Sequence, residues 1–156
     1  GDTMPKELIE KLRESGKYGQ GFATAERIQA SMLDMAYHVI KEIPADFDII
    51  KFEESVIKRL GALSQIPPRY RTTYFNHTMG GGYTAGYYSY MWAEVLDADA
   101  YQAFIETGNI FDSETAAKFR KYVLTPGGIE DAMVMYTNFR GAEPGVEPLL
   151  KNRGLN

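Results

Sequence analysis

The apolar residues of this chain recur at intervals of three and four, and no run of useful length alternates apolar with polar. Such spacing places apolar side chains on one stripe of a helix rather than on one face of a strand. It predicts a mainly α fold with few strands. Residues 5–15, PKELIEKLRES, read as a short helix. Pro5 suits its first turn, where a missing N–H costs nothing, and Leu8, Ile9 and Leu12 form its apolar edge. Residues 22–43 read as a long helix, with apolar Ile28, Met32, Met35, Ala36 and Val39 recurring at helical spacing. It ends at Ile43-Pro44, because the residue before Pro avoids the α region.

Asp48 is placed to cap a third helix over 49–62. From 64 to 82 the helical period is lost. Pro67-Pro68 and Gly80-Gly81-Gly82 mark an irregular crossing, with Tyr74 and Phe75 as a short extended piece. A long helix is expected over 83–107, open to a break between Asp97 and Asp99. Asp112 or Ser113 would cap a helix over 113–124. Pro126-Gly127-Gly128 is a turn, followed by helices over 129–138 and 145–152 that end at Gly154. The 156 residues fit a single helical domain, 1–156.

Composition narrows the function. Net charge is −4 with no basic stripe, which argues against nucleic acid and anionic membranes as partners. No apolar run approaches the ~20 residues of a membrane span. There is no cysteine, so disulfides and thiolate chemistry are excluded. Without a signal peptide a cytoplasmic location is expected. Gly1 in place of Met reads as the remnant of a removed tag, so the chain is expected to begin mid-protein.

Metal and nucleophile motifs are missing. The only histidines are His38 and His77, and HExxH is absent. His38 is followed by Glu42 at i+4, but a local hydrogen bond within an amphipathic helix is the better account of it. No Gly-x-Ser-x-Gly elbow occurs. Gly80-Gly81-Gly82-Tyr83-Thr84-Ala85 formally matches a dinucleotide fingerprint, but no βαβ pattern surrounds it.

The distinctive stretch is YFNHTMGGGYTAGYYSYMW, residues 74–92. On a helix, Tyr83, Tyr87 and Tyr90 share one face at i, i+4, i+7. Tyr88, Met91, Trp92 and Val95 share another, the expected core face. Phenol hydroxyls next to a glycine loop could donate to a developing oxyanion, and glycine lets a bound chain approach closely. By spacing alone the tyrosines are equally an amphipathic packing stripe.

The segment FNHTMGGGYTAGYYSYMWAEVLDADAYQAF resembles the signature that follows the zinc site in the thimet-oligopeptidase family of zinc metallopeptidases, in its bacterial peptidyl-dipeptidase and oligopeptidase A branch. FATAERIQASMLDMAYH and PPRYRTTYF upstream, and IFDSETAAKFRKYVLTPGGIEDAMVMYTNFRGAEPGVEPLLKNRGL downstream, extend the likeness over nearly the whole chain. The resemblance implies the helical C-terminal portion of a peptidase catalytic region. Zinc would be held in the parent enzyme by HExxH and a later Glu, both outside this chain, and none is expected bound to it. Tyr83 and Tyr90 match tyrosines that bind substrate and stabilise the tetrahedral intermediate. His77 matches a histidine before the loop, and Tyr87 a secondary tyrosine. Gly80, Gly81 and Gly82 match a mobile loop beside the cleft.

The implied partners are a short peptide substrate and the missing HExxH-bearing portion, without which the chain is expected to be inactive. Tyr88 and Trp92 are assigned to packing. Arg71 and Arg140 could meet a peptide carboxylate, but salt bridges are the favoured reading. Rival readings are a stand-alone, non-catalytic helical peptide-binding module and a nucleotide-binding domain. As a portion of a larger enzyme, the chain should leave its tyrosine face exposed.

Overall fold

The computed structural model describes residues 3–155; Gly1, read above as a tag remnant, lies outside them. The described residues are helices and connecting turns, with no strand among them. The chain divides into two compact units, residues 1–91 and 92–156.

The first unit contains α1 (Lys6–Ser15), α2 (Gln20–His38), α3 (Ile49–Arg59), a 3-10 turn (Thr72–Tyr74) and the single-turn α4 (Asn76–Met79). Asp48 caps α3 as expected, accepting from the amides of Ile50 and Lys51 at 3.0 and 3.1 Å. Such a cap is worth about 1 kcal/mol. The core gathers Ala30 and Leu33 of α2, Val56 of α3, Phe75 and Tyr87. Phe75 is 1% exposed, and burial of a side chain of that size contributes about 1.5–3 kcal/mol.

The buried stripe of α2 carries Gln29, Ala30, Leu33 and Asp34, while Ile28, Met32, Met35 and Val39 are 36–67% exposed. Two expectations are corrected here. The helix ends at His38 rather than at Ile43. Val39 and Ile43 are 67% and 72% exposed, so a further turn would gain no tertiary packing, which supplies most helical stability. Tyr74 and Phe75 are not extended, because the chain coils tightly from Thr72 to Met79.

Glu53 fastens the irregular crossing to α3. It is 1% exposed and accepts from Arg71 Nε at 2.6 Å and from the Thr72 amide and hydroxyl at 2.7 Å each. Burial raises its pKa, but the bonds from Thr72 and Arg71 outweigh that effect and hold it below the usual value. The resulting stabilisation is fully present above the unfolded value of about 4.3. It is lost as pH falls through the lower folded value. Glu53→Gln should therefore cost about 1–3 kcal/mol at neutral pH and flatten the acid limb of a stability–pH curve followed by circular dichroism. An unaltered acid limb in the variant would contradict this account.

The second unit is built from α5 (Ser89–Glu106), whose first residues Ser89–Met91 group with the first unit, then α6 (Ser113–Phe119), a π-helical turn (Arg120–Leu124), α7 (Ala132–Arg140) and α8 (Glu147–Arg153). Helix α5 runs unbroken through Asp97 and Asp99. Asp112 caps α6 through the Thr115 amide, and Asp131 caps α7 through Met133 and Val134. Ala100, Tyr136 and Phe139 form the core of this unit. Asp99, 5% exposed, accepts from the Tyr136 hydroxyl at 2.6 Å and from Arg140 Nε at 3.2 Å. Arg140 also forks onto both carboxylate oxygens of Glu106.

Candidate functional site

The glycine loop is drawn tightly onto the end of α4. The Gly80 amide donates to the Asn76 carbonyl at 3.0 Å and the Tyr83 amide to the His77 carbonyl at 3.2 Å. The Thr84 hydroxyl donates to the Thr78 carbonyl at 2.9 Å. A Cβ on Gly81 would stand 2.7 Å from the His77 carbonyl oxygen and 3.1 Å from that of Asn76, both rigid backbone atoms. At Gly82 a Cβ would meet nothing within 4 Å. Gly81→Ala should therefore destabilise the chain by about 1–3 kcal/mol, and Gly82→Ala should stay within about 0.5 kcal/mol of wild type. Thermal unfolding of the pair checks this, and equal midpoints would show that the loop yields.

After the loop the expected helix does not begin at 83. The Gly86 amide closes a turn onto the Tyr83 carbonyl at 2.9 Å, and Ala85 within it has φ 53°. A non-glycine residue there costs about 1–2 kcal/mol. The amides of Ala85 and Tyr87 turn instead to the carboxylate of Asp34, at 3.1 and 2.9 Å. With those donors diverted, regular helix starts only at Ser89.

The turn still gathers the three tyrosines. The rings of Tyr83 and Tyr90 stack with centroids 4.8 Å apart, and Tyr87 meets Tyr90 edge-on at 5.3 Å. Exposure divides them. Tyr83 and Tyr90 are 38% and 40% exposed, whereas Tyr87 is 7% exposed and packs edge-on against Phe75. His77 is half-buried, its ring 5.8 Å from Tyr83 and 5.1 Å from Tyr70. A hydrogen bond with Tyr83 is the largest cause that lifts the Tyr90 phenol to about 12. Burial raises the Tyr87 phenol as well.

Tyr88 does not pack as expected and is 52% exposed; Trp92, 44% exposed, lines a small apolar cleft with Leu96 and Met135. Arg71 and Arg140 are held in the salt bridges described above. His38 keeps to its own helix, its Nδ1 lying 2.8 Å from the Asp34 carbonyl oxygen and 2.9 Å from Asp34 Oδ1. Both neighbours are acceptors, so Nδ1 carries the proton. Asp34 itself was missed in the sequence. The available signal was a carboxylate inside an apolar run with a histidine at i+4.

Among the described residues no group of three or more His, Cys, Asp or Glu could hold a metal ion. The zinc implied by the resemblance therefore finds no donor set in them. No described helix is long and apolar enough to cross a membrane.

Comparison with known proteins accords with the family resemblance over the whole chain. Over its full length the chain is 40% identical to the dipeptidyl carboxypeptidase of Escherichia coli, and 38% identical to that of Salmonella typhimurium. Over 99% of its length it is 36% identical to oligopeptidase A of Escherichia coli. It spans 23% of the length of each of these relatives. Residues 1–155 match the model of peptidase family M3, and the chain belongs to that family.

Proposed function

We propose that this chain is the C-terminal, substrate-facing portion of a zinc-dependent peptidyl-dipeptidase or oligopeptidase that hydrolyses short peptides. The observation that carries the proposal is the pair of stacked, half-exposed phenols of Tyr83 and Tyr90 beside the glycine loop. The names and identities of the relatives support the reaction class.

Each residue has a part that follows from its surroundings. Tyr90 and Tyr83 donate their hydroxyl protons to the carbonyl oxygen of the scissile peptide as it gains negative charge. The Tyr90 phenol, raised to about 12 chiefly by its hydrogen bond with Tyr83, stays protonated into alkaline pH. Gly82, with open space where a side chain would stand, lets a peptide backbone pass close by. Tyr87 buttresses the pair from the core, and His77 flanks Tyr83.

The metal chemistry belongs to donor groups outside these residues, and no step of it is assigned to them. The exposed apolar stripe of α2 and the unburied Leu8 and Leu12 of α1 support a larger parent protein that covers them. The deciding test is the removal of single phenol hydroxyls in the full-length protein, with hydrolysis of a short peptide as the readout.

A further inference from the structure

Asp34 has a buried carboxylate that the phenol chemistry does not use. It lies on α2, is fully buried, and meets no Lys or Arg among the contacts described, only the imidazole of His38. A carboxylate removed from water is tolerated only when its oxygens are hydrogen-bonded. Here both are. Oδ1 accepts from the Ala85 amide at 3.1 Å and faces His38 Nδ1 at 2.9 Å, and Oδ2 accepts from the Tyr87 amide at 2.9 Å.

The two amides belong to the turn that carries the tyrosines. They flank Gly86, whose own amide closes that turn onto Tyr83. The turn bends through Ala85 at φ 53°, a conformation usually given to glycine. One carboxylate gripping two amides fixes the orientation of the segment as well as its position. Tyr83 opens the turn, Tyr87 follows it, and the Tyr90 amide reaches back to the Tyr87 carbonyl at 3.4 Å. The grip at Ala85 and Tyr87 therefore sets where both exposed phenols stand. His38, one helical turn along α2, holds the carboxylate in its rotamer through Nδ1.

We propose that Asp34, oriented by His38, is a positioning residue that aligns the phenols of Tyr83 and Tyr90 through the amides of Ala85 and Tyr87. The inference rests on the reading of those phenols as donors to substrate. Asparagine at 34 is nearly isosteric, but it keeps one acceptor and turns an NH2 group toward an N–H donor. In the full-length protein Asp34→Asn should lower kcat by roughly 10²-fold with little change in KM, as a small misplacement of reacting groups does.

A role through the phenols makes a sharper prediction. In a Tyr90→Phe background, Asp34→Asn should cost less than it does alone, because one of the two groups it aligns is already gone. Hydrogen exchange in peptides from 80–90 should accelerate about tenfold, while peptides from 49–59 keep their protection. His38→Gln, which removes one donor and leaves the carboxylate, should show the same pattern more weakly. It keeps the test decisive if Asp34→Asn does not fold.

Wild-type exchange over 80–90 in these variants would overturn the inference, as would the same fold-loss of kcat with and without the Tyr90 hydroxyl. A Tyr90→Phe protein with wild-type kcat would overturn the phenol reading and the positioning role together. Impaired Tyr90→Phe beside unaltered exchange in Asp34→Asn would overturn the positioning role alone.

Discussion

Replacing Tyr90 by Phe in the full-length protein should lower kcat by roughly 10²-fold, the usual cost of losing one donor to an oxyanion. KM should change little. The substitution leaves the ring, and with it the stack on Tyr83 at 4.8 Å and the edge contact with Tyr87 at 5.3 Å. What it removes is one O–H. That proton is held unusually firmly, because the hydrogen bond with Tyr83, with smaller contributions from burial and the neighbouring phenols, raises the Tyr90 pKa to about 12. Ionisation of Tyr90 therefore lies above the ordinary phenol range of about 10. Between those two values the wild-type donor stays protonated where an unpaired tyrosine would already be ionising. Tyr83→Phe should bring that limit down, since Tyr90 then loses its largest stabilising partner. Steady-state rates on a short unblocked peptide, measured for the wild type and both variants across alkaline pH, check the two effects together. A Tyr90→Phe enzyme with unaltered kcat removes Tyr90 from the mechanism.

The parts of the fold that were legible in the sequence are those set by neighbours close along the chain. Asp48 and Asp112 announce their helices because a cap bonds amides two or three residues away. Gly154 closes α8 for a similar local reason, with φ 65°. The tyrosines were legible as a group because their order along the chain is itself a motif.

The errors came from contacts across long separations. Judged by hydropathy, Ile28, Met32, Met35 and Val39 make the better core face of α2. The buried face instead contains Asp34, because amides 51 and 53 residues away come to meet it. The same two bonds break the expected helix at 83–88 and leave Tyr87 inside and Tyr83 and Tyr90 outside. Sequence periodicity presented three equivalent phenols. The structure leaves two of them partly exposed and buries the third.

The 156-residue chain by itself should neither hydrolyse short peptides nor bind zinc saturably. Hydrolysis at neutral pH calls for an activated nucleophile. The chain has no cysteine, and its described residues bring no three metal-binding side chains together. Donors to an oxyanion lower the barrier of a step that some other group must begin. The surface gives a second reason. Ile28, Met32, Met35 and Val39 recur along one exposed side of α2, 43%, 44%, 36% and 67% exposed, which leaves a continuous apolar stripe in water. Stripes of that kind mark faces that bury against another surface.

The purified chain should accordingly bind a hydrophobic dye or self-associate, and Met32→Lys should reduce both without disturbing the Tyr83–Tyr90 stack. Calorimetric titration with zinc, a peptide-cleavage assay and dye fluorescence make the comparison direct. Cleavage that co-purifies with the chain through successive columns would refute the division of labour proposed here, because the phenols would then be serving a nucleophile of their own. Peptide binding without cleavage, joined to a dry and monodisperse surface, would instead favour a stand-alone binding module. A chain that is inert and adhesive alone, in a parent protein that cleaves peptides and loses that activity with the Tyr90 hydroxyl, has its chemistry divided between two stretches of one polypeptide.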